Sequence, residues 1–493
     1  MTLEAPVVRR ALTVAAVLLL AVWVGTSVGE ETPLFWAVVT VCCLGVIGAT
    51  RFECEKIFII LFLAEAGTHL TKRMLFLSPA PPLDIYYQIQ AIPLIVLGLA
   101  AISARKEFSL AKIGLEGWTI AGFMALGTGL TILRTGSSGV VGVLISVATT
   151  VLPMAAYYIG TVMTIERLRR LAPTIVALGV IASVYGMWQF AFGPTYVDQK
   201  WARYLGGNSI QGWKVLAFIE GMTKEFRPFS FFAEPLVYGL FLVFGMACAM
   251  TFQSAGKAFV RAVALVILVG GLVTTLSRSP ILAALVMALV AWLLRFRAWR
   301  RGWVFVMLGS IGVFVTVFVI NYLVENIART GLMPQFSTQF LDRMLNIGTL
   351  TQRGYALDEM SRAIANYGVF GGGWLEMGAM TRPVEGGQVM FESHNGLVAI
   401  LIAVGVPGAL LLGAAIWLWL NRVMRCLQST SDEGVATAVR WYTGMTVGYV
   451  ATACFSGHQF LASMDMWFVV GAITGVATRS KRPAAGGGDE KPA

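Results

Sequence analysis

Residues 395–420 read NGLVAILIAVGVPGALLLGAAIWLWL, 26 positions without one Asp, Glu, Lys or Arg. A transmembrane helix needs roughly 20 consecutive apolar residues, because each adds ~1.5 Å through a hydrocarbon core ~30 Å thick. Working outward with the same rule, spans are predicted near 11–29, 33–50, 57–77, 88–104, 116–133, 139–160 and 171–193. A second set follows near 230–252, 259–276, 280–295, 303–322, 395–420, 440–457 and 463–478. No ten-residue alternation of a barrel strand is present, and backbone groups in lipid must be paired within the segment, so the spans are helices. The predicted fold is an all-α polytopic membrane protein of about 14 transmembrane helices, with a large outside loop carrying an amphipathic helix.

Composition points the same way. Of 493 residues, 57% are hydrophobic and 13% charged, about half the charged share of a soluble domain. Such a chain cannot cover itself with polar surface in water. The net charge of +11 suggests nucleic acid only until its positions are counted. With both termini inside, the inside segments hold 23 Lys and Arg, whereas the short outside loops hold four: Lys72, Arg73, Arg134 and Arg278. Positive charge on short loops marks the cytoplasmic side. The Arg295–Arg301 cluster anchors that side, and a nucleic-acid partner is not expected.

The six cysteines fall in apolar segments or inside loops, and none has the spacing of a disulfide framework or zinc site. Arg9-Arg10 before an apolar run reads as the start of a first transmembrane helix, because Gly25–Glu30 makes a poor cleavage site. Two outside loops are long, 194–229 and 323–394. Residues 353–367 place Ala356, Leu357, Met360, Ala363, Ile364 and Tyr367 on one stripe, an amphipathic helix. Gly371-Gly372-Gly373 is expected to form a flexible turn, and 376–393 to be irregular. Asp84 and Asp198 read as solvated loop residues. The expected organisation is helices and a first long loop at 1–225, spans with the loop 323–394 at 226–425, further helices at 426–480, and a disordered cytoplasmic tail at 481–493.

Four features sit at predicted outside mouths. Arg227-Pro228-Phe229-Ser230-Phe231-Phe232-Ala233-Glu234-Pro235 opens the eighth span, and Thr275-Leu276-Ser277-Arg278-Ser279-Pro280 is the tight turn between the ninth and tenth. Arg353 heads the amphipathic segment. Ser393-His394-Asn395-Gly396 returns the large loop to the membrane. An arginine at such a mouth either snorkels to headgroup phosphates or clamps a diphosphate bidentately, which lysine does less well. His394 is either a helix cap or a general base, since imidazole titrates near neutrality. Glu234 either pairs with Arg227 or takes part in chemistry.

Together with Phe370-Gly371-Gly372-Gly373 and Gly405-Val406-Pro407-Gly408, these pieces resemble the O-antigen ligase and polymerase superfamily of bacterial envelope glycosyltransferases. The resemblance covers roughly 227–420 and lies in the order and spacing of short motifs. It implies a catalytic region at 226–425 and transfer of a glycan from an undecaprenyl-diphosphate carrier on the periplasmic side of the inner membrane. The displacement would be inverting, with no metal or other cofactor. By position, Arg227 and Arg353 would hold the diphosphate, with Arg278 a further candidate, and His394 would deprotonate the acceptor hydroxyl. Glu234, Asn395 and Ser277 would support them. The implied partners are the lipid-linked oligosaccharide, an acceptor glycan or lipid A core, membrane lipids and a chain-length regulator.

Polymerase and ligase differ only in the acceptor; about fourteen spans favour a polymerase, since about twelve would be expected of a ligase. A transporter or lipid-linked glycan flippase is the alternative, because Glu65, His69 and Lys72 share one face of the third span, as in a proton relay or a structural ion pair.

Overall fold

The computed structural model describes residues 53–77, 89, 91–135, 143, 150–201, 227–232, 234–251, 258–296, 364–376, 379–384, 387–392, 396–456 and 461–479. Its helices are α1 (Cys54–Met74), α2 (Ala91–Ala104), α3 (Leu110–Thr135), α4 (Leu152–Gly160), α5 (Ile165–Phe192), α6 (Pro235–Met250), α7 (Ala258–Thr274) and α8 (Arg278–Leu293), followed by α9 (Gly396–Ser429), α10 (Glu433–Ser456) and α11 (Met464–Arg479). The spans predicted at 11–29, 33–50 and 303–322 lie outside the described residues; each of the others overlaps one helix. By length and composition, α5 and α9 are long and apolar enough to cross a membrane, and α6, α7, α8 and residues 92–104 of α2 are shorter apolar helices.

The helical class has one addition. Strands β1 (Ala379–Val384) and β2 (Gly387–Glu392) pair antiparallel, from Ala379↔Glu392 to Val384↔Gly387, where the sequence reading expects irregular chain. Glu385 and Gly386, between the two strands, lie outside the described residues. A pattern this brief carries little periodic signal, which is why it escapes a linear reading.

The chain divides into two compact units, residues 1–107 with 173–238 and residues 108–172 with 239–493. In the first, α1 packs on α2; α1 buries Ile57, Phe58, Leu61 and Phe62, the i, i+1, i+4, i+5 stripe of a helix with one covered face.

In the second unit α8 packs on α10, α4 on α11 and α3 on α9. Two of these contacts are glycine-mediated. Gly444 and Gly448 of α10 lie under the Met287 and Ala283 carbonyls, and Gly471 and Gly475 of α11 lie under those of Tyr157 and Thr161. Glycines four apart clear one helix face, which lets backbones approach where lipid removes the hydrophobic drive to associate. A valine at Gly471 would collide with the Tyr157 carbonyl, an overpacking cost of roughly 1–3 kcal/mol. Gly471→Val should therefore melt at lower temperature in detergent than wild type, while Gly413→Ala, where a Cβ meets nothing within 4 Å, should not. Equal melting of Gly471→Val and wild type would rule out so close a contact.

Candidate functional site

In the first unit, the Arg227–Phe232 motif is bound to three other segments. Arg73, at the end of α1, is fully buried between the rings of Trp201 and Phe229, 4.6 and 4.3 Å from their centroids. Its guanidinium donates to Asp198 Oδ1 at 3.2 Å and to the carbonyls of Ser230 and Phe232. Asp198 is 2% exposed, not a solvated loop residue as the sequence reading has it. It accepts hydrogen bonds from Tyr185 Oη at 3.0 Å, Gln189 Nε2 at 3.1 Å and the Thr195 amide at 3.2 Å. A buried carboxylate demands this: a cation and several donors offset its lost hydration.

Gln189 completes the arrangement. One turn beyond Tyr185 on α5, its Oε1 accepts from the Ser230 amide at 2.8 Å and the Phe229 amide at 3.3 Å. Ser230 also donates its hydroxyl to the Ala182 carbonyl at 2.8 Å. These bonds hold Ser230 at φ 51°, a left-handed conformation that costs a non-glycine residue roughly 1–2 kcal/mol. Arg227 is half-buried at the entrance to this segment and precedes Pro228, which restricts its backbone to extended conformations. Glu234 is half-buried, and its carbonyl accepts from the Tyr238 amide at 3.1 Å as α6 begins.

In the second unit, the Thr275–Pro280 turn holds another left-handed residue, Leu276, at φ 49°. The Ser277 amide donates to Thr275 Oγ1 at 3.2 Å, and Ser277 stands at the N-cap of α8 in extended conformation. Arg278 is half-exposed in the first turn of α8, where free amides and the helix dipole already favour an anion. Ser230 and Leu276 are the two non-glycine residues with positive φ among the described residues, and each lies in a motif singled out from sequence. Strain of this kind gathers at working sites and persists only where the surroundings enforce it.

The glycine turn is not flexible. Helix α9 breaks at Gly405, φ 63°, where Pro407 removes an amide from the ladder. Residues 369–373 fill the break: Gly372 and Gly373 donate to the Ile402 and Ala403 carbonyls at 2.7 and 2.8 Å, and Val406 donates back to Val369 at 2.8 Å. A Cβ on Gly405 would overlap the Val369 carbonyl, so only glycine lets the two backbones meet. Helix α3 secures the other side. Thr131 Oγ1 accepts from the Trp374 amide at 2.7 Å, Arg134 reaches the Tyr367 and Gly371 carbonyls at 3.3 and 3.4 Å, and Phe123 packs edge-on to the buried Trp374 ring at 5.3 Å. Nearby, Tyr367 donates to Glu376 Oε2 at 3.4 Å, and burial with that carboxylate raises its hydroxyl pKa.

Arg353, His394 and Asn395 lie outside the described residues, as does most of the predicted amphipathic helix, of which residues 364–367 are helical. Residues 393–395 join the end of β2 to the start of α9, ten positions before the Gly405 break. The side chain of Glu65 also lies outside what is described, while Lys72 is buried.

Residues 263–413 match the model of the O-antigen ligase family, Wzy_C. The match covers under a third of the chain. The O-antigen ligase match encloses Ser277, Arg278, Arg353, the Gly371–Gly373 turn, His394, Asn395 and the Gly405 break, while Arg227, Glu234 and the Arg73 cluster precede it. It supports a membrane-associated O-antigen ligase/polymerase-type function in general, with a lipid-linked glycan and an acceptor as substrates. No curated protein matches the chain.

Sequence reasoning missed Arg73, Gln189, Asp198, Thr131, Arg134 and Trp374. The available signal was slight: Arg73 and Arg134 are cations at the ends of apolar runs, the same feature that singled out Arg278.

Proposed function

We propose that the chain is an inner-membrane polysaccharide polymerase, or an O-antigen ligase, with about fourteen spans, both termini cytoplasmic and the active site periplasmic. It takes a glycan from an undecaprenyl-diphosphate carrier and delivers it to a sugar hydroxyl, without a metal. The observation that carries the reading is the family match over 263–413, which takes in the Arg278 turn, Arg353 and His394 together. The Lys and Arg distribution over short loops supports the orientation, and the span count favours polymerase over ligase.

The chemistry assigns one role to each group. His394 accepts the proton of the acceptor hydroxyl as its oxygen bonds to the anomeric carbon from the face opposite the carrier. The bond from that carbon to the diphosphate oxygen breaks, and the carrier leaves as undecaprenyl diphosphate. Negative charge grows on the leaving group, so arginines fixed before the reaction favour the transition state over the ground state. Arg227, Arg278 and Arg353 fill that role, with Ser277, Glu234 and Asn395 supporting them.

The test is a cell-surface glycan assay in a deletion strain complemented with wild-type or His394→Ala protein at matched expression. Loss of a general base costs on the order of 10²- to 10⁴-fold, so His394→Ala should fail to restore long-chain glycan. Accumulated single repeat units would identify a polymerase, and full-length lipid-linked chains a ligase. Wild-type glycan from His394→Ala would reduce His394 to a helix cap and remove this mechanism.

A further inference from the structure

We infer that Arg73, Gln189 and Asp198 are positioning residues for Arg227, holding it at the angle needed to meet a diphosphate. The inference rests on the proposed role of Arg227 as a diphosphate clamp. It assigns a task to three residues that lie outside the family match and that the proposed chemistry does not otherwise use.

The physical case begins with the cost of the arrangement. A fully buried ion pair, a guanidinium between two aromatic rings and a serine in the left-handed region are each unfavourable or demanding alone. A connecting loop could run from α5 to α6 without any of them. All three converge on four consecutive residues: the amides of Phe229 and Ser230 go to Gln189, and the carbonyls of Ser230 and Phe232 go to Arg73. Asp198 then fixes both holders at once, one oxygen on Arg73 and the other on Gln189 and Tyr185.

Rigidity passes from this segment to Arg227 through a single residue. Pro228 is buried with φ restrained by its ring, and it limits the backbone of Arg227 as well. A residue two positions from a backbone so constrained has little freedom except in its own side chain. An arginine forks onto a diphosphate only when its plane is aimed, and fixing the backbone in advance removes the entropy of finding that aim. Buried on every side, the cluster cannot itself touch a ligand in this arrangement, so its contribution would run through Arg227.

A double-mutant cycle on full-length protein in nanodiscs separates this role from ordinary structural support, with undecaprenyl diphosphate as the probe and tryptophan fluorescence reporting its Kd. Arg227→Lys and Gln189→Leu should each weaken binding on the order of tenfold, and the double variant should be no weaker than Arg227→Lys alone. Should Gln189→Leu fail to fold, Asp198→Asn runs the same cycle with the same expectation. Independent, additive losses would overturn the inference and leave the transferase reading intact. An unchanged Kd in Arg227→Lys would also overturn it, by removing the residue being positioned. Absence of binding by wild type would strike the diphosphate reading itself, and this inference with it.

Discussion

Gly405→Val should abolish long-chain glycan and sharply lower the melting temperature of the protein. Valine at φ 63° pays roughly 1–2 kcal/mol for a left-handed backbone, and its side chain must then displace the Val369 carbonyl and Phe370 backbone at a further ~1–3 kcal/mol. Together these cost roughly 2–5 kcal/mol, a large fraction of the stability of an ordinary domain. The structural consequence reaches further than the residue. Residues 369–373 can no longer fill the break in α9, and three interstrand-like backbone bonds between them and 402–406 are lost. That turn lies midway along the chain between Arg353 and His394, so its release should disturb the proposed site. Gly405→Ala should fall between Gly405→Val and wild type, and Gly413→Ala on the same helix should behave as wild type. A Gly405→Val protein with normal melting and normal glycan would mean that the break and the turn are not packed together.

Arg73→Ala should be the most destabilising change in the first unit. It leaves the buried Asp198 carboxylate without its cation, removes donors from the Ser230 and Phe232 carbonyls, and empties the space between Trp201 and Phe229. Breaking a buried pair from one side costs roughly 3–5 kcal/mol, because the remaining charge stays desolvated. Arg73→Lys should recover part of the loss: it keeps the charge, but one ammonium cannot reproduce the planar fork or its stacking. Pairing Arg73→Met with Asp198→Leu should recover more stability than Arg73→Ala retains, since neither charge is then buried alone. Thermal unfolding of the purified proteins in one detergent measures all three. Wild-type melting of Arg73→Ala would show that solvent reaches the pair.

Of the motifs named from sequence, the structure describes those of Arg227 and Arg278 but not Arg353, His394 or Asn395. The Arg227 and Arg278 motifs stood out because arginines beside prolines and serines are unexpected at the mouths of apolar spans. The structure adds that each motif contains a left-handed residue, which no composition rule reveals at Ser230 or Leu276. Asp198 was misread because a single carboxylate in a polar loop gives no sign of a partner 125 residues away. The Gly371–Gly373 turn was misread for the opposite reason. Glycine signals conformational freedom in a linear reading, whereas here its missing side chain serves close approach to another backbone.

The sequence by itself determined where the described helices lie, because the length of an apolar run and the absence of charge within it are local properties. Its short motifs, in a particular order, also carried the resemblance that the match over 263–413 supports. Only the tertiary structure decided that Arg73 is paired and buried, that the glycine turn enters the break in α9, and that glycines of α10 and α11 carry helix contacts. Each of these joins segments far apart in the chain, and a contact between distant segments is set by which surfaces remain to be covered once the helices have formed.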